Sequence, residues 1–173
     1  LPKWIIAGIR ENEYNQNQGG NMELKEIIRK THRLAAALGY AIFGLLIFYF
    51  ILEELIRYRL APFFGFYRLE NKQLLRYIFY GLSALSLILA RILQTLFLKK
   101  KAGETALDLV NKLHRTALIS VIMSELPALF GLALFLLAGL NLDFYLLLAV
   151  SIVALFIFFP RRRAWEEWIS EKA

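Results

Sequence analysis

Apolar residues gather into four long blocks, about Leu34 to Leu52, Leu74 to Leu98, Thr116 to Ala138 and Phe144 to Phe159, separated by segments dense in charge. At ~1.5 Å per residue each is long enough as a helix to cross a hydrocarbon core of ~30 Å. Lipid offers no partner to a backbone amide or carbonyl, so a spanning segment must close its own hydrogen bonds, which a helix does. The pattern therefore predicts an all-α integral membrane protein, a four-transmembrane-helix bundle. The short turn Gly139-Leu140-Asn141-Leu142-Asp143 joins spans three and four, and Pro160 closes the fourth. Spans one and two, like three and four, are expected to form antiparallel hairpins.

Composition agrees: 58% hydrophobic residues and a mean hydropathy of +0.51 over 173 residues require a lipid-facing surface. The chain has no cysteine, which removes disulfides and thiolate chemistry. The formal charge of +7 is carried by residues flanking the apolar blocks, so the expected partner is the bilayer and not nucleic acid. Counting Lys and Arg near the span ends puts thirteen on one side and five on the other. The thirteen lie before span one, between spans two and three, and after span four. Because cytoplasmic segments carry the positive excess, both termini are expected in the cytoplasm. The first loop mixes arginines with Tyr58, Phe63, Phe64, Phe66 and Tyr67 and is expected to lie along the membrane at headgroup level. In the tail, residues 161–173, Trp165, Trp168 and Ile169 follow an i, i+3, i+4 spacing beside Arg161 to Arg163, the pattern of an interfacial anchor.

Residues 1–21 differ from the rest. They are rich in Asn, Gln and Gly without apolar periodicity, and disorder is expected. Gln18-Gly19-Gly20-Asn21 ahead of Met22 also fits an in-frame reading of a ribosome-binding element, which would make residues 1–21 a non-native extension. The membrane domain would then occupy residues 22–160.

Inside the spans, away from their ends, the ionisable residues are Arg91 and Glu125. Each costs about 2.5 to 3.5 kcal/mol at a span centre, so each needs a partner or a polar cavity. Counted from the side carrying the termini, they lie at ~10 and ~13 Å depth, within reach of one another. Arg91 belongs to a polar strip with Ser83, Ser86 and Gln94, and span three carries a strip of small residues including Thr116, Ser120, Ser124, Pro127 and Gly131. Three readings stand: an Arg91–Glu125 pair that fixes helix order, a Glu125 carboxylate that carries an ion, and an Arg91 that snorkels to the interface while Glu125 stays neutral. Glu53 and Glu54 could supply paired carboxylates, though Arg57 makes a surface ion pair the simpler account.

Glu125-Leu126-Pro127-Ala128-Leu129-Phe130-Gly131-Leu132 resembles the ion-carrying helix of rotary ATP synthase c subunits, and the resemblance implies a proton- or sodium-binding role for Glu125. The paired glycines of that family's first helix are absent here. Spans three and four, through Asp143-Phe144-Tyr145 and Phe159-Pro160-Arg161 to Trp165-Glu166-Glu167-Trp168, resemble uncharacterised bacterial four-span inner-membrane proteins, which implies a location and no activity.

His32 and His114, each in a Lys-x-His-Arg tetrad before an odd-numbered span, could in principle be bis-histidine haem ligands, but a basic interfacial collar explains them more simply. No cofactor or metal is predicted, and the sequence carries no HExxH, GxGxxG, Walker or serine-elbow pattern. The expectation is a structural, accessory or interaction subunit, alone or with a membrane-protein partner or further copies of itself. The alternative is an H⁺ or Na⁺ carrier using Glu125. A haem protein or an enzyme comes third, and a non-enzymatic role is expected over an enzymatic one.

Overall fold

The computed structural model describes the backbone of residues 3–67, 71–99, 103, 105–161, 163, 165, 167 and 168, with side chains from Glu26 onward except Ala106. Lys25, Arg68, Lys100, Lys101, Arg162, Glu166, Ile169 and Lys172, which entered the charge count or the tail pattern, have side chains outside these described residues. Among the described residues four helices carry the fold: α1 (Lys3–Arg59), α2 (Lys72–Phe97), α3 (Ala106–Ala138) and α4 (Asn141–Phe158). All four are long and apolar enough to cross a membrane, as the block pattern predicts. The backbone of α1 is helical from Lys3, where composition led to an expectation of disorder. Extending a nucleated helix orders one residue per hydrogen bond gained, so a polar stretch can continue a helix that a neighbouring span has already started.

Local chemistry sets the helix ends. Asn71 caps α2 by accepting the Leu74 amide at 3.1 Å. Thr105 and Asp108 form a reciprocal capping box at the start of α3. At its other end α3 stops at Gly139, whose φ of 70° is a left-handed conformation that favours glycine. The last carbonyls of α3 are then satisfied from outside the helix. Phe66 N–H donates to Leu136 O at 2.8 Å, Tyr67 N–H to Leu137 O at 3.2 Å, and Lys72 Nζ to Ala138 O at 2.8 Å. The aromatic loop is therefore docked on the end of α3, with Phe63 packed on Phe135. Tyr58, Phe64, Phe66 and Tyr67 still face outward.

The hairpin of α3 and α4 is closely packed as expected, whereas among the described residues α1 and α2 do not pack on one another. α3 is central and touches all three other helices, most extensively α4. Spans one and two are antiparallel neighbours in sequence only, because the docked loop carries the chain across the end of α3. Lipid tails compete equally for any leucine, so contact goes where backbones can come close. The small strip of α3 provides that surface: Thr116, Ser120, Ser124, Pro127 and Gly131 are all buried. A Cβ added at Gly131 would lie 3.0 Å from Leu147 Cβ and 3.2 Å from the Phe144 backbone.

The main core joins α1, α3 and α4 around Ile42, Leu46, Phe135, Phe144 and Leu148. A smaller core at the end carrying both termini, here the terminal end, gathers Ile28, Ala35, Val110, Leu113, Ala117 and Trp165. Trp165, expected as a lipid anchor, is turned into this core and meets the His32 ring edge-on at 5.6 Å. The opposite end, with the first loop and the α3–α4 turn, is the loop end.

Candidate functional site: a buried acid and tyrosine cluster

The inward face of α1 repeats at heptad spacing: Ala35, Gly39, Ile42, Leu46, Tyr49 and Glu53 are all buried. Continuing this stripe carries Glu53 into the bundle, where its exposure is 0%. Glu54, one residue and ~100° further round, faces out and pairs with Arg57 at 2.5 Å, as the simpler account held. The Tyr145 hydroxyl on α4 lies between the two carboxyl groups, 2.8 Å from Glu53 Oε2 and 2.7 Å from Glu54 Oε1. The second oxygen of Glu53, Oε1, is buried with no hydrogen-bond partner.

One turn back along α1, the Tyr49 hydroxyl donates to Glu125 Oε1 at 2.6 Å. That contact replaces the Arg91–Glu125 pair. α2 turns Ser83, Ser86 and Ala90 toward the bundle, which leaves Arg91, a further ~100° round the helix, exposed and donating to Gln94 Oε1 at 2.9 Å. Glu125 instead faces α1. The strip residues are mostly occupied locally: Ser83 donates to Phe79 O at 2.7 Å, Ser86 to Ser83 O at 2.8 Å and Ser124 to Val121 O at 2.6 Å. Ser120 is the exception, buried with an unpartnered hydroxyl.

Beside Glu125 the helix ladder is interrupted, because Pro127 has no N–H to donate. Ser151 on α4 compensates, accepting the Ala128 amide at 2.8 Å and lying 3.5 Å from the Glu125 carbonyl. A proline interruption whose loosened polar groups meet a neighbouring helix is tolerated at membrane depth on these terms.

A third acid completes the loop end. Asp143, buried in the first turn of α4, accepts from Arg76 Nε at 2.5 Å and from the Tyr80 hydroxyl at 2.8 Å, tying α4 to α2. Its charge also favours the positive N-terminal end of α4.

Neither Glu53 nor Glu125 forms an ion pair among the described residues. His32 Nε2 donates to the Pro160 carbonyl at 2.9 Å, and no hydrogen bond or ring contact among the described residues joins it to His114, whose Nδ1 is buried without a partner. Of the residues singled out from sequence, Glu125 stands in the cluster, as do Glu53 and Glu54, for which a surface pair with Arg57 is the simpler account from sequence, while Arg91, Gln94, His32 and His114 fall outside it. Tyr49, Tyr145 and Asp143 join them. The heptad stripe of α1 was the signal that could have found Glu53, since that residue stands eleven after Ile42, seven after Leu46 and four after Tyr49.

No protein-family model matches the chain, and no significant match is found among curated proteins or solved structures.

Proposed function

We propose that this multi-pass protein is a small subunit of the bacterial inner membrane, with both termini in the cytoplasm, that binds and relays a proton through its acid and tyrosine cluster. One observation carries the proposal: a single phenol oxygen, Tyr145, stands within 2.8 Å of two carboxyl groups. A phenol has one proton to donate, so the second short contact calls for a proton on a carboxyl group. Glu54 is already held by Arg57, which makes Glu53 the group that carries it. Glu53 then donates through Oε2 to Tyr145 and Tyr145 donates to Glu54, which releases a proton at the loop-end surface; re-protonation of Glu53 would enter at its unpartnered Oε1, with water bridging the one turn of α1 that separates it from Tyr49 and Glu125. Buried acids without cationic partners in a span suit such relays. The orientation is supported by thirteen Lys and Arg on the terminal side against five.

Proton flux in reconstituted vesicles, with potassium and valinomycin to balance charge, tests the proposal. Wild type should acidify the lumen above empty vesicles, and Glu53→Gln and Glu125→Gln should each reduce that rate at least about tenfold, the scale of removing one proton-transfer group. Infrared difference spectra should show a protonated carboxyl C=O stretch that Glu53→Gln removes. No flux in wild type, or an unchanged spectrum in Glu53→Gln, would overturn the reading.

A second reading, an accessory or interaction subunit, is favoured by the outward-facing aromatics of the docked loop and by the largely uncovered faces of α2. Its test is co-purification from native membranes at low detergent. A stoichiometric partner lost with Phe64→Ala and Phe66→Ala would support it, and a protein recovered alone would count against it.

A further inference from the structure

At the terminal end a cavity of about 420 Å³ opens between the ends of α2 and α4 and the first half of α3; its lining includes Gln94, Thr116, Ser120, Arg161, Trp165 and Trp168. A second, wholly apolar groove of about 470 Å³ runs between α2 and α4, lined by Leu87, Leu146, Val150 and Val153 among others. The two share Ile157 and Phe158 in their walls, so they adjoin at the end of α4. We propose that together they hold one anionic phospholipid of the leaflet on the terminal side, its phosphate at Arg161 and Gln94 and an acyl chain in the α2–α4 groove.

Three observations specify this occupant. Among the described residues Arg161 is the charged side chain in the lining and no acidic side chain lines the cavity with it, so the cavity mouth suits a phosphate. Arg91 donates to Gln94 Oε1 and leaves the amide NH₂ as the end available to the cavity, while Arg91, Gln94 and Lys99 line an adjoining recess of the same sign. Most decisive is Ser120. Thr116, one turn earlier, returns its hydroxyl to Lys112 O at 2.7 Å, the usual recourse of a hydroxyl in a helix, but Ser120 is 2% exposed and bonds to nothing. It lies ~6 Å deeper than Thr116 along α3, the level at which an ester carbonyl follows a phosphate into the bilayer. A donor at that depth, cationic and amide groups above it and a dry groove leading onward reproduce the sequence of phosphate, ester and chain in a glycerophospholipid.

The experiment is native mass spectrometry of the full chain in mild detergent, titrated with phosphatidylglycerol and, separately, phosphatidylcholine of the same chains. Wild type should retain one phosphatidylglycerol per chain and prefer it over phosphatidylcholine. Arg161→Gln should weaken phosphatidylglycerol about fivefold, the effect of one basic residue at an anionic surface. Ala149→Trp, which fills the groove away from any charge, should lower both lipids together. Arg59→Gln, a surface arginine at the loop end, should change neither. Glycerol phosphate without chains should not compete. Equal retention of the two lipids by wild type, an unchanged Arg161→Gln, or competition by glycerol phosphate would each overturn the proposal. Infrared and flux results on Glu53 do not bear on it.

Discussion

At the loop end of the bundle, Glu53, Glu54 and Asp143 each meet a hydroxyl from another helix, and two arginines hold Glu54 and Asp143. At the terminal end, Arg91 and Arg161 face outward and no acid lines the cavities among the described residues. The two ends place charge differently because they solve different problems. A carboxylate has a short side chain and cannot reach far for water, so burying it requires partners fixed by tertiary contacts. Arginine has a long stem that lies on apolar surface while its head reaches phosphates, so it needs the bilayer more than it needs the protein. The contrast makes the loop end the fixed half of the molecule and the terminal end the half completed by lipid.

Asp143→Ala tests the fixed half most severely. It strips Arg76 and Tyr80 of their shared acceptor and should cost about 2 to 3 kcal/mol, the range for hydrogen bonds to a charged group, read by reversible unfolding in mixed micelles. A cost near zero would mean that the loop end is not held by this contact. Gly131→Leu drives a side chain against Leu147 and the Phe144 backbone, and should destabilise by about 1 to 3 kcal/mol in the same assay. Tyr145→Phe should cost about 1 to 3 kcal/mol of stability, because Glu54 keeps Arg57 but the buried Glu53 carboxyl loses its hydrogen bond, and should slow proton release as strongly as Glu53→Gln. Similar flux in Tyr145→Phe and wild type would separate the hydroxyl from the relay. Smallest of all, Arg91→Gln should lie within ~0.5 kcal/mol of wild type, as for an exposed side chain. A cost of ~3 kcal/mol or more would instead restore the buried pair with Glu125, since breaking such a pair strands a charge.

Much of the fold could be read one helix at a time. The four spans, the Thr105–Asp108 capping box, the glycine at the end of α3 and the small strip that contacts α4 all follow from residues close together in sequence. The candidate site was only half legible. Glu125 stood out because nothing near it in sequence could neutralise it, whereas Glu53 was concealed by lying at a span end beside a plausible surface pair with Arg57. Trp165 misled in the same way: its spacing marked an amphipathic face, but spacing does not say whether that face meets lipid or Ile28 and Val110.

The sequence by itself determined that four segments leave water, since transfer of an apolar helix into lipid is a sum over its own residues. Tertiary structure alone decided which face of each helix meets another helix, that α3 stands at the centre, and that Tyr49 rather than Arg91 reaches Glu125. The reason lies in the solvent. In water an apolar stripe announces the buried face, but lipid and protein interior are equally apolar, so rotation about each axis is chosen by close packing and by the few polar groups that must find one another.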